Sequence, residues 1–251
     1  MTIQREFPVT DIALARALAE RAGAHLLALR ATCSALDAQA LGAAGDAEAN
    51  ALLLSALRQA RPHDAVLSEE SADDGSRLGA ARVWIIDPLD GTREFRDGGD
   101  DWAVHIALVS AGCVRVAAVA QAARGVCVAV DTSAAPSEPE AISWRRVVVS
   151  RTRAPAFAAR VAHALGATLH PLGSAGVKAL AVVRGEALAY VHAGGMNEWD
   201  AAAPVGVALA HGLHVSDLRG EPITFNRPDV VLHEGLIICR SELAATVLDA
   251  L

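Results

Sequence analysis

The stretch Val83-Trp84-Ile85-Ile86-Asp87-Pro88-Leu89-Asp90-Gly91-Thr92 constrains this chain more than any other. Residues 83–86 are an apolar run suited to a buried strand. Pro88 has no amide hydrogen and a fixed φ, so the strand is predicted to end there. Gly91 permits a tight turn or a close backbone approach. Asp87 and Asp90 then flank a turn, and the carbonyl of Leu89 can point between them. Oxygens crowded at one point suit a hard cation such as Mg²⁺. The alternative is a surface turn with solvated aspartates, but a strand this apolar delivers its acids to the interior, where Asp is rarely left unpaired.

A chain of 251 residues suits one large domain or two small ones with a proper core. Its net charge of −7 argues against a nucleic-acid polymer as partner. No apolar run is long enough to cross a membrane. Arg16, Glu20 and Arg21 interrupt the first helical pattern, so it is not a signal peptide, and a cytoplasmic protein is expected. Cys33, Cys113, Cys127 and Cys239 form no CxxC and read as buried thiols, not as disulfides or zinc ligands. Arginine supplies nearly all the positive charge and Lys178 is the only lysine. A lysine in this composition points to a chemical need for an ammonium, with chance as the alternative.

Thr10, after Pro8 and Val9, is a plausible N-cap for a helix that carries Ile12, Leu14, Leu18, Ala22, Leu26 and Leu29 at helical spacing. Residues 42–45 read as a loop, with Asp46 opening a second helix as its cap. A short strand at 65–67 leads to Ser68-Glu69-Glu70-Ser71, whose adjacent glutamates must point to opposite faces. Runs at 102–109, 113–120 and 125–130, separated by Ala111-Gly112 and Arg124-Gly125, predict an antiparallel meander. Residues 132–140 are the candidate domain junction. Beyond it, strands at 146–150, 167–172, 187–192, 214–215 and 236–239 alternate with helices at 155–165, after Gly176 (carrying Lys178 and Leu180), at 200–210 and at 242–251, which implies an α/β layer.

A second acidic motif is Glu198-Trp199-Asp200-Ala201-Ala202-Ala203-Pro204. Asp200 falls where a helix begins and is either an ordinary N-cap or a ligand facing the Asp87 turn. Gly173-Ser174-Ala175-Gly176-Val177-Lys178 has the form of an anion cradle without the spacing of a P-loop. Among nine histidines no metal-ligand pair stands out. His192 is noted because it lies near the Asp200 loop. Nothing supports a nucleophilic Ser or Cys. Haloacid-dehalogenase-type phosphatases also place acids before a Thr, but their acids are spaced Asp-x-Asp. Here Pro88 and Leu89 both intervene, which suits two ligands flanking a carbonyl and a metal-activated water.

The motifs at 68–71, 84–95 and 199–204, in this order and separation, resemble the inositol monophosphatase superfamily. The continuation Asp101-Trp102-Ala103-Val104-His105 and the 173–178 segment are most similar to its 3′(2′),5′-bisphosphate nucleotidase branch, in the actinobacterial form. The resemblance implies a layered αβαβα sandwich of the inositol monophosphatase and fructose-1,6-bisphosphatase type. An N-terminal α+β part (1–134) would carry the metal turn. A C-terminal α/β part (135–251) would supply Asp200 and substrate contacts. It implies Glu69, Asp87, the Leu89 carbonyl, Asp90 and Asp200 as ligands to two Mg²⁺ ions or three. Glu69 and Thr92, backed by Asp46, would activate water. Gly91, Thr92, Ser174, Lys178, His192 and Asp200 would bind a small phosphorylated substrate. The implied reaction is hydrolysis of 3′-phosphoadenosine 5′-phosphate to AMP, as in sulfate assimilation, with Li⁺ inhibition and a homodimer. Inositol phosphate or fructose 1,6-bisphosphate is the alternative substrate, and a metal and sugar-phosphate binding protein the non-enzymatic one. Where the family often carries a lysine before the Asp46 helix, residues 36–45 have none, which bears on the third metal. Nor does an arginine stand near His192 as in other bisphosphate nucleotidases.

Overall fold

The structure is a computed structural model that describes residues 10–33 and 37–251, so Pro8, Val9 and Leu36 lie outside it. Thr10 opens α1 (Asp11–Thr32), its hydroxyl accepting from the Ala13 amide at 3.3 Å. That satisfies one of the amides a helix leaves free in its first turn. The second helix departs from expectation. Residues 42–45 are helical, and Asp46 lies inside the helix. α2 runs Ala38–Ala60, capped by Asp37, whose Oδ1 accepts from the Ala40 amide at 2.8 Å. Close packing here outweighs the poor helix propensity of glycine. A Cβ on Gly45 would stand 3.0 Å from Leu89 Cδ2, and one on Gly42 3.0 Å from the Thr92 methyl. The two glycines let α2 lie directly on the Asp87–Thr92 turn.

β1 (Ala65–Ser68) pairs in parallel with β2 (Val83–Asp90). β2 runs on to Asp90, with α3 (Thr92–Arg96) directly after it. β3 (Ala103–Ser110), β4 (Cys113–Gln121) and β5 (Val126–Asp131) complete the expected meander. Ala111 and Gly112, both at positive φ, make its first turn. β2 does not end at Pro88. Its ladder with β3 lapses after the Asp87–His105 pair and resumes at Asp90–Ala103. Three steps along β2 thus match two along β3, a bulge whose unpaired position accommodates the proline.

After β5 come β6 (Arg146–Ser150), α4 (Ala158–Ala164), β7 (Thr168–Leu172), α5 (Ala175–Val183), β8 (Ala189–His192), β9 (Met196–Asn197), α6 (Glu198–Ala210), β10 (His214–Ser216), β11 (Val231–Leu232), β12 (Leu236–Cys239) and α7 (Ala244–Asp249). The last helix is shorter than expected, since a 3₁₀ turn takes up Ser241–Leu243. A second sheet has the order β10-β12-β8-β6-β7. Strand alternation sorts the core into three slabs. Trp84, Ile86, Val104, Ile106 and Leu108 face α1 and α2. Ile85, Ala107, Val109 and Val119 face α5 and α6, which pack from the other side on Val148, Tyr190 and Ile238. Val147, Val149, Val191 and Ile237 face α4 and α7. The layers are therefore αβαβα, as expected. Of the cysteines, all free, only Cys239 is buried; Cys33 and Cys127 are half-buried and Cys113 is exposed.

Candidate active site

β1 and β2 run side by side to one corner, with Ser68 opposite Ile86. β1 therefore leaves the sheet beside Asp87, while β2 runs on to Asp90. The Glu69 carboxyl adjoins Asp87, Asp90 and Asp200, whereas Glu70 acts on Asp46. The glutamates lie in the turn after β1, not in the strand as expected, and it is the turn that sends them apart.

Asp87 is 1% exposed. Its Oδ1 accepts from the Leu89 amide at 3.0 Å. Among the described residues no donor reaches its buried Oδ2. A buried oxygen without a partner is costly. Burial holds the Asp87 carboxyl well above the usual range, and Asp90, Glu69 and Asp200 push it the same way. Glu69 is pushed up to about 7 by burial, then by Asp200 and Asp90. Asp200 is pushed up to about 7 by burial, then by Asp90. A divalent cation would remove both the repulsion and the orphaned oxygen. Asp87, Asp90 and His105 each bring one ligand atom to within 4.8 Å of the others. The residues present therefore fit a metal ion.

Asp90 is aimed by three elements. Its Oδ2 accepts from Ser174 Oγ at 2.5 Å and from the Gly176 amide at 3.3 Å, and lies 3.2 Å from His105 Nε2. The other oxygen is left for a ligand. His105 is fully buried, with Nδ1 3.3 Å from the Trp199 carbonyl. Sequence reading passed over it. Its signal is the cross-strand partnership with Asp87, visible only when the register is known. Gly176 must be glycine, because a Cβ there would lie 2.2 Å from His105 Nε2.

Thr92 begins α3. Gly91 before it sits at φ 95°, and a Cβ would meet the Asp101 carbonyl at 2.9 Å. Phe95 packs edge-on against Trp102 at 5.2 Å, with the Arg30 guanidinium 5.6 Å from each ring. Thr92 is thereby fixed with its hydroxyl 3.1 Å from both Asp46 Oδ1 and the Leu89 carbonyl. A hydroxyl has one proton, so it serves one acceptor at a time and keeps lone pairs for a water. Burial, then Glu70, pushes Asp46 up to about 6.

Asp200 is not the cap of α6. Asn197 is, and Asp200 reaches back from the third helical position to accept the Asn197 amide at 2.7 Å. Two buried residues to which the sequence reading gave no role secure this end. Glu198 accepts from the Asn226 and Arg227 amides at 2.7 and 2.9 Å, and Arg77 donates to Asn226 Oδ1 and the Arg227 carbonyl.

The acid cluster opens into a cleft lined by Gly91, Thr92, Arg153, Lys178, Tyr190 and His192 among others. Of the expected substrate contacts, two are already engaged. Lys178 is 4% exposed and donates to the Gly173 and Ser174 carbonyls, with Tyr190 5.1 Å away. Burial brings its pKa down to about 8. Ser174 gives its hydroxyl to Asp90. Both therefore brace the loop that aims Asp90. His192 is brought down to about 4 by burial, then by Lys178 and Arg153, so it is neutral. Its Nδ1 accepts from the Gly194 amide at 3.1 Å, which puts its proton on Nε2.

Comparison with known proteins agrees with this geometry. The model of the inositol monophosphatase family matches residues 8–251. A 3′-phosphoadenosine 5′-phosphate phosphatase of Mycobacterium leprae is 48% identical over 96% of this chain and 93% of its own. The 3′(2′),5′-bisphosphate nucleotidase CysQ of Escherichia coli K12 is 30% identical over 76% of this chain and 82% of its own. In fold, CysQ of Bacteroides thetaiotaomicron superimposes with a TM-score of 0.75 at 22% identity, over 92% of this chain and 97% of that one. No helix among the described residues is long and apolar enough to cross a membrane. The match spans nearly the whole sequence and includes every motif from which the resemblance was read: this chain belongs to the inositol monophosphatase family.

Proposed function

We propose that this chain is a Mg²⁺-dependent phosphomonoesterase that hydrolyses 3′-phosphoadenosine 5′-phosphate to AMP and phosphate. The observation that carries the reading is the orphaned Asp87 Oδ2 amid mutually raised carboxylates. Beside them stands a Thr92 hydroxyl held by Asp46. Glu69, Asp87, the Leu89 carbonyl, Asp90 and Asp200 would hold the metal, two ions or three, which supplies Lewis-acid polarisation of the phosphate and a more acidic water. Thr92 Oγ1 accepts a hydrogen bond from the attacking water, and Asp46 keeps the hydroxyl turned for it. Glu69, whose carboxylate form the bound metal would favour, takes the water's proton. The amides of Gly91 and Thr92, both lining the cleft, receive the phosphate oxygens. The names of the mycobacterial and enterobacterial relatives, matched over 93% and 82% of their own lengths, support a nucleoside bisphosphate as substrate. Li⁺ inhibition, a homodimer and a cytoplasmic setting belong to the same proposal and rest on the family resemblance.

The substrate is tested by kcat/KM for phosphate release with Mg²⁺ from 3′-phosphoadenosine 5′-phosphate, inositol 1-phosphate and fructose 1,6-bisphosphate, with and without Li⁺. A preference for the nucleotide of at least about tenfold, or about 1.4 kcal/mol, is expected. Comparable rates on all three would make the protein a broad phosphatase. Binding of the nucleotide without turnover would make it a binding protein.

A further inference from the structure

Two of the acids that meet at the cluster come from opposite halves of the chain. Glu69 lies just after β1, and Asp200 in the first turn of α6. They are near enough for the charge of Asp200 to act on Glu69. Like charges repel, so the surrounding structure must hold the two segments together. A buried arginine joins them. Arg77 is 2% exposed and sits on the 3₁₀ turn Ser76–Gly79, in the same β1–β2 connection as Glu69. Its Nε donates to Asp73 Oδ2 at 3.0 Å, with Nη2 2.9 Å from the same oxygen. The rest of the guanidinium reaches into the other half of the chain. Nη1 donates to Asn226 Oδ1 at 2.8 Å, and Nη2 to the Arg227 carbonyl at 3.0 Å. Asn226 Nδ2 donates back to the Arg77 carbonyl at 3.2 Å.

The other side of Asn226 and Arg227 holds α6. Their amides donate to the two oxygens of Glu198, which is fully buried. The Glu198 amide donates to the Val230 carbonyl at 2.8 Å, and Asn197 pairs with Val231 between β9 and β11. The Phe225 amide donates to the Gly112 carbonyl at 3.0 Å, which ties the same stretch to the turn between β3 and β4. Residues 225–231 thus form a strap, with Arg77 on one side of it and the start of α6 on the other. Neither Arg77 nor Glu198 lines the cleft. Stability alone does not call for an arginine here, because well-packed apolar residues often replace buried charges without loss. The guanidinium adds direction. Its rigid fork meets Asp73, Asn226 and Arg227 in one arrangement only. Asn226 stands at φ 59°, where asparagine is tolerated and brings the amide that Arg77 meets.

We propose that Arg77 is a positioning residue for the metal centre. Through Asn226, Arg227 and Glu198 it fixes the spacing between the Glu69 segment and the Asp200 turn, and so sets the affinity for the cation. This assignment rests on the reading of Glu69 and Asp200 as metal ligands. A spacing fixed in advance leaves less to rearrange when the cation binds. Loosening it should weaken binding while changing the chemistry of the loaded site much less.

The test measures Mg²⁺ binding to chelator-treated protein by titration calorimetry, without substrate. Tm and kcat at saturating Mg²⁺ are recorded beside it for wild type, Arg77→Lys, Asn226→Gly and Val247→Ala. Asn226→Gly is the mild variant. Glycine suits the positive φ, keeps the amide bonded to Glu198 and removes only the side-chain links to Arg77. Val247→Ala opens a cavity under α7, in the slab on the far side of the second sheet, and controls for lost stability alone. Asn226→Gly and Arg77→Lys are expected to weaken Mg²⁺ binding by about 3- to 10-fold, the range of a lost hydrogen bond, with a smaller change in kcat. Val247→Ala should lower Tm and leave Mg²⁺ affinity as it is. Unchanged affinity in Asn226→Gly overturns the assignment, whether or not Arg77→Lys folds. So does a loss no larger than that in Val247→Ala, which would make the strap a matter of stability only. In both cases the metal reading stands. A wild type that binds no Mg²⁺ removes the metal reading itself, and the role of Arg77 with it.

Discussion

Replacing Asp87 with asparagine is expected to abolish turnover and to raise the melting temperature of the metal-free protein. Both effects have one cause. Asp87 is buried with one oxygen unpartnered and three other carboxylates around it. Such an arrangement destabilises the metal-free fold and favours a cation. Asparagine keeps the shape and can still accept the Leu89 amide, but it carries no charge to desolvate. A gain of roughly 1 kcal/mol would raise Tm by about 2–4 °C in a chain of this size. Loss of Lewis-acid stabilisation worth several kcal/mol should lower kcat by at least about a thousandfold. The pH dependence follows from the same groups. Glu69 and Asp200 are raised to about 7 in the folded chain, and Asp87 is raised too. Between the ordinary carboxylate range and about pH 7, the folded state therefore binds protons that the unfolded chain has released. Metal-free wild type should be most stable at the acid end of this window and lose stability as pH rises through 7. With Mg²⁺ the trend should reverse, because the metal binds the deprotonated acids. Thermal melts from pH 5 to 8, in EDTA and in Mg²⁺, read all of this. An Asp87→Asn protein that is less stable than wild type without metal, or that retains activity, would contradict it.

Thr92→Val is the second large effect. Valine keeps the methyl that packs against Gly42 in α2, so the fold should survive. What is lost is the hydroxyl held at 3.1 Å by Asp46 and by the Leu89 carbonyl. If that oxygen orients the attacking water, kcat should fall by about 10²–10⁴-fold, with KM changing much less. Thr92→Ser should recover much of the rate. Asp46→Asn should slow the enzyme less, and the double variant should be little worse than Thr92→Val alone, since the two act as one unit. Independent, multiplying effects in the double variant would show that Asp46 acts elsewhere.

The acidic cluster was legible in sequence because most of it is local. Asp87, Leu89, Asp90, Gly91 and Thr92 follow one another, and strand periodicity puts them at one corner. The layer order came with the family resemblance; β2 and β3 are buried on both faces, so their apolar runs do not by themselves say which layer each face meets. What was hidden depends on contacts between distant segments. Asp46 reads as a helix cap because glycines 42 and 45 look like a loop. They are helical because the surface of Leu89, Phe95 and Thr92 leaves no room for side chains. His105 has no acidic partner in its own motif and joins the cluster only through its register with Asp87. Lys178 was singled out for its rarity. Its ammonium instead satisfies two carbonyls of the loop that carries Ser174, a contact within its own segment that composition cannot reveal.

The most direct test of the account is phosphate release from 3′-phosphoadenosine 5′-phosphate by chelator-treated wild type as Mg²⁺ is titrated back. The expected result is no turnover in EDTA, full recovery with Mg²⁺, and no recovery in Asp87→Asn under the same titration. Undiminished turnover in EDTA would contradict the account, because these carboxylates would then have no metal to hold.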